Sequence, residues 1–488
     1  MKRFFCFPLL VGCLLTTQTT ADESLPSRET ATVRVIRQVQ PAAAAVYARK
    51  QDGRSGWGSG TVIDPRGYVL TAEHVTGEQH LIVLAGRSPL RAKRIGTVKE
   101  NDLAILQLGG PAFNRPASPK YPLDGTTPGF VRLATPDSVL LGETILNVGA
   151  PGGRGVVVTR GIVSAVNFIG SNPLSLATQS SLGFEESLQF DAASNPGNSG
   201  GALINMHGRQ IGVVKSSVRS EEGIHFAVPP DTIRAAIPKL LYAEYRHRYR
   251  TGITVNPQRD EIWITSVEAS SPADEAGLRV GDQIVTLDGR LLRDPIDWEF
   301  SKLDLRAGNR IRVGLRRQDE ELSAELLLAE RKPEAGIEVE EPTPGLLVRG
   351  ANYDPRNPDP LADDDRPAGP PDVIESVTAT PQDFSGEHYE LLITGLLKIE
   401  DAGLYRLGIE SDDGSKLFLH DRLLVDNGGN HSAQRRTEWA YLGAGFHPIR
   451  IEFYEDEGQQ TLELTIAAGD AEMKAVGPDQ LFHTRKSD

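Results

Sequence analysis

A chain of 488 residues is too long for one compact core and predicts about three domains. A formal net charge of −14, with no basic run set against it, excludes a nucleic-acid-binding face. Both cysteines, Cys6 and Cys13, precede Ala21, so a chain cleaved there carries neither a disulfide nor a thiol nucleophile; cysteine-protease and Cys-ligated zinc chemistry are excluded together.

Lys2 and Arg3, the apolar run Phe4 to Leu15 and the small-residue site Thr19-Thr20-Ala21 predict an export leader over 1–21. The run is shorter than the roughly 18–20 residues that span a bilayer as a helix, and no later stretch is longer. Leu10-Val11-Gly12-Cys13 resembles a lipoprotein anchoring site, but Leu14 and Leu15 continue the apolar run past Cys13, which favours cleavage near Ala21. The expected location is the periplasm or cell envelope, with secretion as a variant of the same reading.

Residues 31–245 are rich in glycine and in short β-branched runs. Turns fall at Asp64-Pro65-Arg66-Gly67, Ala150-Pro151-Gly152-Gly153 and His207-Gly208, a spacing that predicts a barrel or sandwich and not a βαβ fold. Ile233, Ala236, Ile237, Leu240 and Leu241 recur at helical spacing and predict a helix over Pro229 to Glu244. A second unit, 250–331, alternates strands (Glu261–Val267, Gln283–Leu287, Arg310–Leu315, Glu321–Leu328) with short helices. Residues 332–344 read as an acidic, Pro-bearing linker. The last unit, 345–482, is strand-rich after a Pro- and Asp-heavy surface loop from Asn352 to Asp372.

The strongest chemical signal is Asn195-Pro196-Gly197-Asn198-Ser199-Gly200-Gly201. A serine hydroxyl needs a base to take its proton and donors for the oxyanion that develops on the attacked carbonyl. Ser199 is the candidate nucleophile, and the N–H groups of Gly197 and Ser199 are the candidate oxyanion hole. Taken alone the motif is also a glycine-rich turn. His74, just after a predicted strand, and Asp102, at the mouth of the apolar run Leu103-Ala104-Ile105-Leu106, complete a base and its orienting carboxylate.

Gly58-Ser59-Gly60-Thr61-Val62-Ile63, Thr71-Ala72-Glu73-His74-Val75, Asn101-Asp102-Leu103-Ala104, Asp191 to Gly201, Gly161-Ile162-Val163-Ser164-Ala165 and Gly223-Ile224-His225-Phe226-Ala227-Val228-Pro229 resemble the HtrA (Deg) family of trypsin-like serine proteases. The resemblance implies a mainly β, multidomain chain with a chymotrypsin-like double β-barrel. It also implies ATP-independent cleavage of unfolded or misfolded proteins, and a homo-oligomer, with a trimer favoured. Family pocket positions fall on Ala193, Ser194, Ser216 and Ile224, whose two hydroxyls imply a more polar pocket than the aliphatic-selecting one of relatives. His225 is expected to pack, with substrate contact as the alternative. Apparent insertions fall around Pro111–Gly129 and Ser171–Glu186.

Ser271-Pro272-Ala273-Asp274-Glu275-Ala276-Gly277-Leu278 through Ile284 resembles a PDZ domain, which implies capture of a peptide C-terminus by a loop of backbone N–H groups. Arg250, Thr251, Gly252 and Ile253 stand at that loop, departing from its usual apolar-Gly-apolar pattern. Ala402-Gly403-Leu404-Tyr405-Arg406-Leu407, Ser411-Asp412-Asp413-Gly414-Ser415 and Gly443 to Arg450 resemble the β-sandwich domain named after anthrax protective antigen. Adhesin members bind calcium and sugar through an acidic pair, which makes Asp412 and Asp413 the candidate pair and a glycan or cell-surface partner the expectation. Asp-Asp-Gly is equally an ordinary turn, no second ligand cluster accompanies it, and the chemistry at Ser199 calls for no cofactor. The competing reading of the whole chain is a chaperone or glycan-anchored scaffold with little proteolytic activity.

Overall fold

The computed structural model describes residues 28–50, 53–84, 88–109, 129–153, 155–168, 187–215, 223–352, 370–380, 387–456, 458, 460–469 and 471–484. The leader with Cys6 and Cys13, both insertions almost entirely, and Ser216 therefore lie outside the described residues.

Strands β1 (Ala43–Arg49), β2 (Ser55–Asp64), β3 (Tyr68–Thr71), β4 (Gln79–Leu84), β5 (Leu90–Val98) and β6 (Leu103–Leu108) close into one barrel. Strands β7 (Thr144–Gly149), β8 (Val157–Phe168), β9 (Ser187–Phe190), β10 (Ala202–Asn205), β11 (Gln210–Val214) and β12 (His225–Val228) close into a second. Closure leaves neither sheet with an open edge, and inward positions such as Val62, Val69, Leu106, Leu203 and Ile211 are fully buried. Asp64-Pro65-Arg66-Gly67 is the β2–β3 hairpin: Gly67 has φ +82° and donates its N–H to the Asp64 carbonyl at 3.0 Å.

Helix α1 (Ala31–Val39) packs Val35 and Val39 inward and is capped by the Thr30 hydroxyl, which accepts the Val33 N–H at 3.3 Å. The helix expected over Pro229 to Glu244 is two helices, α2 (Pro230–Leu241) and α3 (Ala243–Arg246), divided at Tyr242, which turns to φ +45°. Behind it, β13 (Tyr249–Arg250), β14 (Ile253–Val255), β15 (Ile262–Val267), β16 (Gln283–Leu287), β17 (Arg290–Leu291), β18 (Arg310–Arg317), β19 (Glu320–Leu327) and β20 (Ala329–Glu330) carry α4 (Pro272–Glu275) and α5 (Pro295–Ser301). The predicted strands recur within three residues at each end.

This second unit shares a core with the barrels. Ile296, Phe300 and Leu303 cluster with Ile63, Tyr68, Leu70, Ile233 and Ile237. Burying one such side chain as fully as Phe300 stabilises by about 1.5–3 kcal/mol. Arg66 crosses the same junction, paired with Asp64 at 2.9 Å and Asp304 at 3.0 Å, with its guanidinium over the rings of Tyr68 and Phe300.

The last unit is a two-sheet sandwich, with Leu346, Tyr389, Leu407, Ile409, Ile451 and Phe453 in one core cluster. The acidic, Pro-bearing linker is held along this unit. The Glu334 N–H donates to the Tyr441 carbonyl, Ile337 bridges Phe446, and Pro342–Pro344 pairs with residues 482–484. The sandwich meets the first unit through Trp439, stacked edge-on at 4.7 Å against Tyr242. Glu438 accepts the Tyr242 hydroxyl and pairs with Lys239, while the Thr437 hydroxyl donates to Glu100 at 3.1 Å.

Candidate active site

His74 lies in a single 3-10 turn (Glu73–Val75) directly after β3, and Asp102 lies one residue before β6. Because β3 and β6 are paired, with Thr71 opposite Ala104, the two side chains project from neighbouring strand ends. The Glu73 N–H donates to the Asp102 carbonyl at 3.1 Å and locks the two turns together. Asp102 adopts φ +52°, a region that aspartate tolerates better than most residues.

The Asp102 carboxylate stands 2.8 and 3.0 Å from His74 Nδ1 and accepts the His74 backbone N–H at 3.0 Å. It thereby fixes the tautomer with the proton on Nδ1 and leaves Nε2 as the basic nitrogen. The hydrogen bond to Asp102 raises the His74 pKa above its ordinary value, partly opposed by burial. His74 is more exposed than Asp102, with 44% and 28% of their side chains accessible, so the base faces the cleft and the carboxylate sits behind it.

Ser199 is half-buried on the turn between β9 and β10. Two glycines seat that turn against the first barrel. A Cβ on Gly200 would meet the Ser59 carbonyl at 2.3 Å, the Thr71 hydroxyl at 2.4 Å and the Ala72 N–H at 2.9 Å, and its φ is +81°. A Cβ on Gly58 would fall between the Val75 methyls and the Ser199 carbonyl at 2.6–2.8 Å. Only glycine permits this approach, which brings the residue after Ser199 against the strand end that leads to His74.

Gly197 has φ +99°; the Asn198 N–H closes the turn onto Asn195 at 3.0 Å, and Gly201 donates to Asn198 at 2.8 Å. Among the described residues, the Gly197 and Ser199 N–H groups take no part in these turn bonds. Ala193 is exposed, and its carbonyl accepts from Asn147 at 3.1 Å and Thr159 at 2.7 Å; Ser194 and Ile224 are half-buried. His225 packs on Phe190 at 5.4 Å, and burial lowers its pKa. Ser59, quoted above only as part of a Gly-Ser-Gly run, proves fully buried and bonded to the Ser199 turn. A hydroxyl between two glycines inside an apolar strand was the available signal.

At the second unit's loop, Thr251 is buried and already faces a carboxylate. Glu244 of α3 accepts the Thr251 N–H at 3.3 Å and its hydroxyl at 2.7 Å, and Arg331 holds the same carboxylate at 3.2 Å. The Ile253 N–H donates to the Thr251 hydroxyl at 3.2 Å, and Arg250 turns to Glu268 at 3.0 Å. Gly252, at φ +78°, leaves no room for a Cβ beside Ser271.

In the sandwich, Asp413 accepts the His431 N–H at 3.2 Å and the Asp456 N–H at 2.8 Å, one on each carboxylate oxygen. No group of three or more His, Cys, Asp or Glu arranged to hold a metal occurs among the described residues. Glu455 is fully buried beside this pair, and neither of its carboxylate oxygens has a hydrogen-bond partner among the described residues. Burial, then the charges of Asp413, Asp412, Asp456 and Glu387, push its pKa up to about 8 from an ordinary 4.5. A carboxyl whose folded pKa is raised stabilises the fold at low pH and loses that contribution as pH climbs through the folded value, here between about 4.5 and 8. Glu455→Gln is therefore expected to raise the melting temperature of the sandwich most at about pH 9 and to show almost no advantage near pH 4.5; calorimetry across that range checks it.

A trypsin-like peptidase domain model matches residues 58–213, a PDZ domain model residues 250–328 and a PA14 domain model residues 343–480. A probable periplasmic DegP-like serine endoprotease of Brucella suis is 32% identical over 260 residues, covering 49% of this chain and 46% of the relative. The chain thus spans about half the length of that relative. The serine endoprotease DegS of Escherichia coli K12 is 28% identical over 323 residues, covering 60% of this chain and 84% of the relative. Among solved structures, the serine endoprotease from Yersinia pestis aligns at 27% identity and TM-score 0.34, covering 62% of this chain and 99% of that one. The HtrA-type protease AlgW with tripeptide aligns at 26% and 0.36, covering 63% and 99%. The chain thus carries a trypsin-like peptidase domain, a PDZ domain and a PA14 domain in that order, and over the first two it is similar to HtrA-type serine endoproteases.

Proposed function

We propose that the protein is an exported, ATP-independent serine endopeptidase that cleaves unfolded or misfolded proteins in the periplasm or cell envelope. The observation that carries this reading is the His74–Asp102 pair, bonded through Nδ1 at 2.8 Å, with the Ser199 turn seated on the same strands by Gly58 and Gly200. Ser199 Oγ attacks the scissile carbonyl while His74 Nε2 takes its proton. His74 then returns that proton to the leaving amine, and Asp102 stays ionised to stabilise the imidazolium. The N–H groups of Gly197 and Ser199 hold the oxyanion, and Ala193, Ser194, Ser216 and Ile224 shape the specificity pocket.

The PDZ unit recruits peptide C-termini, which must displace Glu244 from Thr251 to reach the loop. The PA14 unit tethers the enzyme to glycan or another surface partner, a reading supported by the family match alone, and a homo-oligomer is the working assembly. A fluorophosphonate probe tests the catalytic core. Labelling is expected on the parent chain and lost in Ser199→Ala; absence of Ser199-dependent labelling in every condition, added peptide included, defeats the endopeptidase reading and leaves the scaffold one.

A further inference from the structure

Ser59 is a polar side chain with zero accessibility in the middle of a strand whose neighbours are glycines and aliphatic residues. Such a hydroxyl opposes folding unless both its donor and its acceptor functions are used. Both are used, and on functionally distinct parts of the molecule. Ser59 Oγ donates to the Gly197 carbonyl at 2.7 Å and accepts the Ala150 N–H, at the end of β7, at 2.9 Å. The backbone contributes as well: the Ser59 N–H donates to the Ser199 carbonyl at 2.8 Å, and the Ser59 carbonyl accepts the Thr71 hydroxyl at 2.7 Å. One residue of the first barrel thus holds both ends of Gly197-Asn198-Ser199, a segment of the second.

The hydroxyl contact bears on the oxyanion site through the peptide plane. A carbonyl and the N–H that follows it share one rigid plane, so fixing the Gly197 carbonyl inward fixes the Asn198 N–H, which closes the turn onto Asn195. Gly197 is free to rotate on either side of that plane, since glycine at φ +99° has no Cβ to hold it. An external anchor is needed if the Gly197 N–H is to keep one direction. Close packing supports the anchor: a Cβ on Gly149 would lie 2.9 Å from Ser59 Oγ, and one on Gly201 3.3 Å from Ser59 Cβ.

We infer that Ser59 is a positioning residue for the oxyanion hole, its hydroxyl holding the Gly197–Asn198 peptide so that the Gly197 and Ser199 N–H groups converge on the carbonyl under attack. The inference rests on the reading of Ser199 as nucleophile. Without the hydroxyl, the Gly197 carbonyl and the Ala150 N–H lose their shared partner and the turn samples orientations that aim one donor elsewhere. Ser59 touches neither His74 nor Asp102 by hydrogen bond among the described residues, so the base is left as it was.

The test compares the full parent chain with Ser59→Ala. Its measurements are the second-order rate of Ser199 phosphonylation by a fluorophosphonate, kcat and KM on fluorescently labelled casein, the pH–rate profile and the melting temperature. Losing one oxyanion donor outright costs about 10²–10³-fold. Loosening one is expected to lower the phosphonylation rate and kcat by roughly 10–100-fold. KM and the acid limb set by His74 should stay near parent values, while the melting temperature falls modestly because two buried backbone groups lose their partner. Rates within about threefold of the parent overturn the inference. So does a fall in kcat that comes with a raised KM and a shifted acid limb, because that pattern reports general loosening of the site. If the parent itself is never labelled, the endopeptidase reading fails and takes this inference with it; a labelled parent with an unaffected Ser59→Ala variant sinks only the role of Ser59.

Discussion

Asp102→Asn is expected to lower kcat on a denatured protein substrate by on the order of 10⁴-fold while leaving the fold intact. Asn is nearly isosteric with Asp, and the His74 backbone N–H can still donate to its amide oxygen as it now donates to Asp102 at 3.0 Å. The loss comes from the other contact. His74 Nδ1 faces both carboxylate oxygens at 2.8 and 3.0 Å, which requires the proton on Nδ1 and keeps Nε2 free to accept from Ser199. An amide NH₂ in that place donates to Nδ1, moves the proton to Nε2 and removes the base.

The pH profile supplies a second sign. The Asp102 hydrogen bond raises the His74 pKa, and only neutral His74 can take a proton. Parent activity should therefore rise with pH through a limb above the ordinary histidine value, and the residual activity of Asp102→Asn should rise at lower pH. An Asp102→Asn variant within about tenfold of the parent would mean that another group orients His74. Rates measured on labelled casein between about pH 5 and 9 separate these outcomes.

Much of this site was legible in the sequence because its parts are local. Strand, tight turn and chemistry-bearing residue occur together at Thr71-Ala72-Glu73-His74 and at Asn101-Asp102-Leu103, and the glycines around Ser199 announce a turn that no other residue could make. The PDZ strands were equally plain, since alternation from Arg310 to Leu315 buries Ile311, Val313 and Leu315 on one face. What escaped depends on contacts between distant segments. Ala31 to Val39 is rich in β-branched residues, whose propensity favours strand, yet Val35 and Val39 are four apart on one helical face and Thr30 caps the turn. Nothing within residues 332–344 tells that Glu334 and Ile337 bridge two consecutive strands more than a hundred residues later. Glu244 likewise reads as an exposed helix end, and its partner Thr251 as a degraded carboxylate-binding loop. Only the fold makes each explain the other: the loop carries a hydroxyl because a carboxylate from the same chain sits on it.

That internal carboxylate belongs to a buried charge cluster, and breaking the cluster should have the largest effect on stability. Lys302 Nζ lies 2.7 Å from Glu299 and 3.9 Å from Glu244, with both Glu299 and Lys302 almost wholly buried. Arg331 pairs with Glu244, and Lys302 is the cation paired with the buried Glu299. Lys302→Met keeps the length and the apolar stem while stranding Glu299 without a partner. Removing one member of such a pair costs about 3–5 kcal/mol, because the remaining charge stays desolvated and unpaired. Lys302→Met combined with Glu299→Met should recover most of that loss, since an apolar pair of similar volume is close to neutral in a dry site. The transition to follow is that of the PDZ unit, whose buried Trp298 supplies a fluorescence signal during urea unfolding. A loss below about 1 kcal/mol in the single variant would mean that water reaches Glu299. A double variant as unstable as the single would place the deficit in packing and not in charge. The same variants reach the peptide loop, because Glu244 is shared: without Lys302 its carboxylate keeps, among the described residues, Arg331 and the N–H and hydroxyl of Thr251.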